Sequence, residues 1–179
     1  MNLKHINHPL TYIIAVALVV GIAGAFWYLS RETVPVPQSP QLSPPAYDFT
    51  LPAIDGTTVR LSDFRGKTVL LNLWQPDCGA CDDEVKALAR LQKTYTSQLT
   101  VIVIAMNTDA KIARDRLAPL KPGFPVVMGD ETVTTNYPGQ MMPRSYLVDH
   151  SGRLRAEVLK HPRSPYGYFQ RLVVFVIAS

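Results

Sequence analysis

From His5 to Ser30 the chain carries no Asp, Glu, Lys or Arg, and residues 10–29 form a run of 20 that are almost all apolar. An α-helix rises about 1.5 Å per residue, so a helical run of this length spans about 30 Å, the thickness of a bilayer core. Lys4 and the amino terminus precede the run, while Arg31 and Glu32 after it cancel. The positive-inside rule then keeps residues 1–9 in the cytoplasm and exports everything beyond residue 30. Phe26, Trp27 and Tyr28 fall at the outer end, where aromatic rings prefer the interface. Ala23-Gly24-Ala25 also fits the small-residue pattern of a signal-peptidase site. The apolar run continues through Leu29, which favours an uncleaved anchor over a cleaved signal. Both readings place the rest of the chain outside the cytoplasm. No cysteine lies near the run, which excludes a lipoprotein.

Residues 30–46 follow, with prolines at 35, 37, 40, 44 and 45. Such a segment favours extended polyproline II and reads as a tether. The remaining residues, 47–179, are long enough for one domain. With 47% apolar residues the 179-residue chain can bury a core, so disorder is excluded. Two cysteines exclude a disulfide-stapled mini-protein. From Tyr47 onward 16 Lys and Arg stand against 13 Asp and Glu, a net +3 spread evenly, which argues against a nucleic-acid surface.

Within residues 47–179 the pattern alternates strands and helices. Asp55-Gly56 between two short β-type segments signals a hairpin. Thr68 to Trp74 (TVLLNLW) is a continuous apolar run of strand length and reads as a central buried strand. Val85, Leu88, Leu91 and Tyr95 recur at helical spacing behind it. Leu99 to Met106 is a second buried strand, and Thr108-Asp109 caps a short helix that Pro119 ends. Short strands follow at 124–128, 145–148 and 154–159. Ser164-Pro165 then opens an amphipathic helix carrying Phe169, Leu172, Val173, Val176 and Ile177. The order predicts an α/β fold: a mixed central sheet with helices on its faces and an N-terminal β-hairpin.

Cys78 and Cys81, the only cysteines, are spaced C-x-x-C between the buried strand and the helix after it. At helical spacing residues i and i+3 lie about 5–6 Å apart, within disulfide range. The unpaired N–H groups and positive partial charge of a helix N-terminus stabilise a thiolate on the first cysteine. A structural zinc site would need four ligands, and the domain offers only His150 and His161 far along the chain. A structural disulfide closing so small a loop would remove little chain entropy.

Phe49-Thr50-Leu51-Pro52, Leu61 to Lys67 (LSDFRGK), Asn72-Leu73-Trp74 and the Cys78-Gly-Ala-Cys81 motif resemble the membrane-anchored periplasmic thioredoxins of the TlpA/ResA/DsbE (CcmG) type. Met142-Pro143 before Ser145 to Asp149 is similar to that family's cis-proline region. The resemblance covers residues 47–179. It implies a thioredoxin-like fold and thiol–disulfide exchange with partner proteins, using the cysteine pair and no other cofactor. Cys78 would attack and Cys81 would resolve. Pro143 would be the cis-proline, with the Met142 backbone and Trp74 on the substrate side. Glu84, three residues after Cys81, stands where ResA-type members carry a glutamate that manages the resolving thiol's proton. Thioredoxin does this with an aspartate on the preceding strand, where this chain has Asn72. Asp77, Ala80, Val85 and Arg144 depart from residues common in the family.

Asp77, Asp82, Asp83 and Glu84 surround the cysteines with no Lys or Arg between Asp77 and Val85. Negative charge disfavours a thiolate, and a strong oxidant needs its reduced form stabilised, so this cluster predicts a reducing pair. The resemblance implies the same: a reductase of partner disulfides, such as those of apocytochrome c, re-reduced by a membrane thiol transporter of the DsbD/CcdA type. Two other classes are compatible with the residues. One is a thiol oxidase on the same fold, and the other a copper(I) protein using the two thiolates with Met141 or Met142.

Overall fold

The computed structural model describes residues 8–29, 43–137, 142–159 and 163–178. The chain divides into two units, residues 1–33 and 34–179. In the first, α1 (His8–Leu29) is helical over 22 residues, and its described side chains, from Tyr12 to Tyr28, are all exposed. Among the described residues no helix is long and apolar enough to cross a membrane.

In the second unit the fold begins before Tyr47. The Leu154 amide donates to Pro44 O at 2.8 Å, the Ala46 amide to Gly152 O at 2.9 Å, and Arg153 Nη1 to Ser43 O at 2.6 Å. Proline lacks an N–H but keeps a carbonyl, so a proline-rich segment can still accept from a neighbouring turn. The end of the expected tether, residues 43–46, is therefore part of the domain.

The hairpin forms as expected. Strands β1 (Thr50–Pro52) and β2 (Thr58–Arg60) pair antiparallel, with Leu51 and Val59 buried. Gly56 at φ +88° makes the turn that a side chain would strain. A short 3-10 helix, Leu61–Phe64, leads into β3 (Thr68–Trp74), which is buried along its whole length. Next come α2 (Gly79–Thr94), β4 (Leu99–Ala105), α3 (Ala110–Leu117), β5 (Val126–Met128), α4 (Glu131–Asn136), β6 (Arg144–Val148), β7 (Leu154–Val158) and α5 (Pro165–Ile177).

The main sheet has the order β5-β4-β3-β6-β7, with β3, β4 and β5 parallel and β6 and β7 antiparallel to their neighbours. Both faces of β3 are covered, which is why its sequence is a continuous apolar run instead of an alternating one. Leu70 and Trp74 face a core built with Val85, Leu88 and Leu91 of α2 and Phe169, Leu172, Val173 and Val176 of α5. Val69, Leu71 and Leu73 face the other core, against Phe49, Leu51, Leu61, Ile102, Ile104 and Tyr137.

Four local expectations are corrected or refined. Helix α4 is absent from the sequence reading, because Thr132, Val133, Thr134 and Thr135 are β-branched and weak helix formers. The Asp130 carboxylate caps it, accepting from the Val133 amide at 3.1 Å, and burial of Val133 and Tyr137 supplies the rest. Helix α3 ends before Pro119 as expected, but the residues there are not a plain loop: Ala118–Leu120 form a 3-10 turn. Strand β5 starts only at Val126, although the Pro125 carbonyl already accepts from the Val103 amide at 3.0 Å. Ser164 precedes α5 without a side-chain cap bond.

Candidate active site

The site lies where β3 hands over to α2. Asp77 takes a left-handed conformation, φ +62°, one of the few side chains that tolerate it. The chain thereby turns so that Cys78 becomes the N-cap of α2. Cys78 Sγ accepts from the Cys81 amide at 3.2 Å, and the Cys78 carbonyl accepts from the amides of Cys81 and Asp82 at 3.0 and 3.3 Å. The two cysteines are joined in a disulfide with their Cα atoms 5.3 Å apart, inside the separation expected from the spacing. Their environments differ sharply. Cys81 is completely buried, packed with Trp74, Val85 and Leu88, whereas Cys78 is only half-buried at the edge of that core.

Glu84 lies one turn along α2 from Cys81 and is 1% exposed. Asn72 Nδ2 donates to Glu84 Oε2 at 2.9 Å and to Ser145 Oγ at 2.9 Å. Burial pushes the Glu84 carboxyl up to about 8, and the Asn72 and Ser145 donors hold it below where burial alone would take it. Ser145 escaped the sequence reading as a site residue. The signal was available on β3, since a polar Asn72 between Leu70 and Trp74 on a buried face demands a partner.

Trp74 is fully enclosed, so its ring faces the core and offers no surface to a docking chain. Its Nε1 donates to Asp82 Oδ1 at 3.0 Å, and Asp82 Oδ2 is ion-paired with Arg116 of α3 at 3.0 Å. Asp83 pairs with Lys86 at 3.1 Å. The expected cluster of four negative charges is therefore not one: Asp82 and Asp83 are paired with cations, and burial favours the neutral form of Glu84. The cations arrive from outside the Asp77–Val85 segment, which is why its local composition misled.

The Met142–Pro143 peptide bond is cis, as the resemblance implied. Pro143 is buried, and Met142 packs half-buried against both cores. Met141 and His161 lie outside the described residues, and among the described residues no group of three or more His, Cys, Asp or Glu could hold a metal ion. Beside the disulfide a cleft of about 610 Å³ runs between Pro76-Asp77 and α3, lined also by Asn107, Thr108, Ile112 and Arg116.

A cysteine pair closed across the first turn of this helix, with one sulfur reachable and the other enclosed, on a thioredoxin-like sheet, defines a thiol–disulfide oxidoreductase. The chain belongs to the AhpC/TSA family, whose model matches residues 43–157. It is 29% identical over 146 residues to the thioredoxin-like protein YneN of Bacillus subtilis (strain 168), covering 78% of this chain and 82% of that protein. It is 31% identical over 113 residues to the thiol-disulfide oxidoreductase ResA of Geobacillus thermodenitrificans (strain NG80-2), covering 62% of this chain and 64% of ResA. The crystal structure of a thiol:disulfide interchange protein, thioredoxin family protein from Chlorobium tepidum TLS, superposes with a TM-score of 0.69 at 24% identity. That match covers 75% of this chain and 97% of the other.

Proposed function

We propose that this protein is an extracytoplasmic reductase of protein disulfides, held at the bacterial inner membrane by residues 10–29. The observation that carries the reading is the unequal exposure of the two sulfurs: Cys78 can be reached and Cys81 is enclosed. In the reduced protein the Cys78 thiolate attacks a target disulfide, forming a mixed disulfide and releasing the first target sulfur as a thiolate. The ionised fraction of Glu84 takes the proton of the Cys81 thiol, and the Cys81 sulfur attacks Cys78 Sγ. The Cys78–Cys81 bond forms and the second target sulfur leaves, so two electrons pass to the target. The Met142–Pro143 backbone edge and the cleft beside Asp77 receive the target chain.

The reducing direction is supported by the surroundings of Cys81. An apolar enclosure does not stabilise a thiolate, and a couple whose reduced form is not stabilised is a poor oxidant. Apocytochrome c cysteines and other oxidised extracytoplasmic thiols fit as targets, with a membrane thiol transporter of the DsbD/CcdA type as electron donor. The charge-free run of residues 10–29, with Lys4 before it, supports an uncleaved anchor whose N-terminus is cytoplasmic.

The deciding measurement is the reduction potential of the full-length protein in detergent, equilibrated against glutathione. A value near about −270 mV is expected for a reductase, and one near about −120 mV would make the protein an oxidant. The pairing of Arg116 with Asp82, which removes negative charge beside the cysteines, is the observation that favours the oxidant reading.

A further inference from the structure

We propose that Asn72 and Ser145 are positioning residues for the proton transfer at Cys81: together they hold the Glu84 carboxyl group in one orientation and set how tightly it keeps its proton. The inference rests on the reading of Glu84 as the acceptor of the Cys81 proton.

The sheet register builds the arrangement. Strands β3 and β6 run antiparallel with Asn72 opposite Ser145. Side chains alternate along a strand, so Asn72 shares a face with Leu70 and Trp74, and Ser145 shares one with Leu147. That face packs on α2. Asn72, Glu84 and Ser145 are 0%, 1% and 2% exposed. The two hydrogens of the Asn72 amide serve Glu84 Oε2 and Ser145 Oγ, each at 2.9 Å. The Ser145 hydroxyl also bonds the Glu84 carboxyl and, like Asn72, favours its charged form.

Asn72 is not there to fill space. Its Oδ1 is buried with no hydrogen-bond partner, a cost that a leucine of similar size would avoid. What the amide supplies is its Nδ2 end, aimed at Glu84. Without these donors a carboxyl group so enclosed would stay protonated and could not accept a proton from Cys81. The donors offset enough of the burial that Glu84 exchanges its proton at about 8. The other elements packed here add little charge. Cys81 is the titratable neighbour on α2 itself, β4 contributes Leu99, Val101, Val103 and Ala105, and α5 contributes Tyr168 among apolar residues.

The test follows the Glu84 carboxyl carbon by NMR across pH in the oxidised full-length protein. A parallel assay measures the pH profile of thionitrobenzoate release from its mixed disulfide with Cys78 in the reduced chain. The wild-type Glu84 midpoint is expected near 8. Ser145→Ala should raise it by about one pH unit, and Asn72→Leu by at least as much. Ser145→Thr, which keeps the hydroxyl, should restore it. In a Glu84→Gln background Ser145→Ala should no longer change the release profile. An unchanged Glu84 midpoint in both folded variants, Ser145→Ala and Asn72→Leu, overturns the proposal. A Glu84→Gln protein with a wild-type release profile would instead overturn the reading of Glu84 itself, and the proposal with it.

Discussion

Arg116 Nη2 lies 3.0 Å from Asp82 Oδ2, and the other oxygen of the same carboxylate accepts from Trp74 Nε1 at 3.0 Å. One side chain thus ties the end of β3, the first turn of α2 and the last turn of α3 together next to the cysteines. It also cancels a negative charge at the residue following Cys81.

Removing that cancellation should be visible in the reduced protein. Arg116→Ala leaves Asp82 as an uncompensated anion, and negative charge disfavours the Cys78 thiolate. The pair is partly exposed, so the shift is modest: the midpoint for thiolate formation, followed by ultraviolet absorbance, should rise by about half a pH unit. The reduction potential should fall with it. A midpoint that stays in place would mean that Asp82 does not act on the thiolate.

The two cysteines should fail differently. Cys81→Ser should accumulate the mixed disulfide between Cys78 and a target, detectable by mass spectrometry, because the resolving sulfur is gone. Cys78→Ser should form no adduct and lose disulfide reduction altogether, since Cys81 is fully enclosed and cannot be reached in its place. Adducts on Cys81 in the native Cys78→Ser protein would refute this division of labour.

Glu84 should make folding stability fall as pH rises. Its carboxyl is raised from 4.5 to about 8 in the folded chain, so between those values the native state binds a proton that the unfolded chain does not. Stability contributed by the protonated form is therefore complete below about 4.5 and lost as pH climbs through 8. The loss is on the order of 3–5 kcal/mol. Glu84→Gln keeps an acceptor for Asn72 but cannot ionise. Chemical denaturation of the oxidised proteins should show the variant more stable than wild type at pH about 9, with the difference shrinking toward pH about 5. Parallel stability curves would contradict the assignment.

Trp74 separates packing from hydrogen bonding. Trp74→Phe keeps an aromatic ring but loses the donor to Asp82, and it should cost about 1.5–3 kcal/mol, the range for a hydrogen bond to a charged group. Trp74→Ala should cost about 3–5 kcal/mol, because it also empties a fully buried position. Denaturant midpoints of the two variants give the comparison. A Trp74→Phe protein as stable as wild type would mean that the indole N–H contributes nothing.

Most of the fold of this protein is legible in its local patterning. The continuous apolar run at Thr68 to Trp74 predicts a strand covered on both faces, and β3 occupies those residues. The helical spacing of Val85, Leu88 and Leu91 predicts the buried stripe of α2, and the stripe from Phe169 to Val176 predicts that of α5. The C-x-x-C spacing places both sulfurs within bonding reach on one helical turn. These features depend on residues a few positions apart, so the period of the backbone determines them.

Other features depend on which distant segments meet. Helix α4 forms against its own weak propensity because Val133 and Tyr137 find a core to enter. Residues 43–46 join the domain because the β6–β7 turn offers them backbone partners. Only the register of β3 with β6 brings Ser145 to Asn72 and both to Glu84, and only the packing of α3 beside α2 delivers Arg116 to Asp82. Strand β3, helices α2 and α5 and the reactive pair follow from local pattern alone, since each rests on residues a few positions apart. The tertiary structure alone decided the charge around that pair, because a carboxylate's state depends on burial and on partners from elsewhere in the chain.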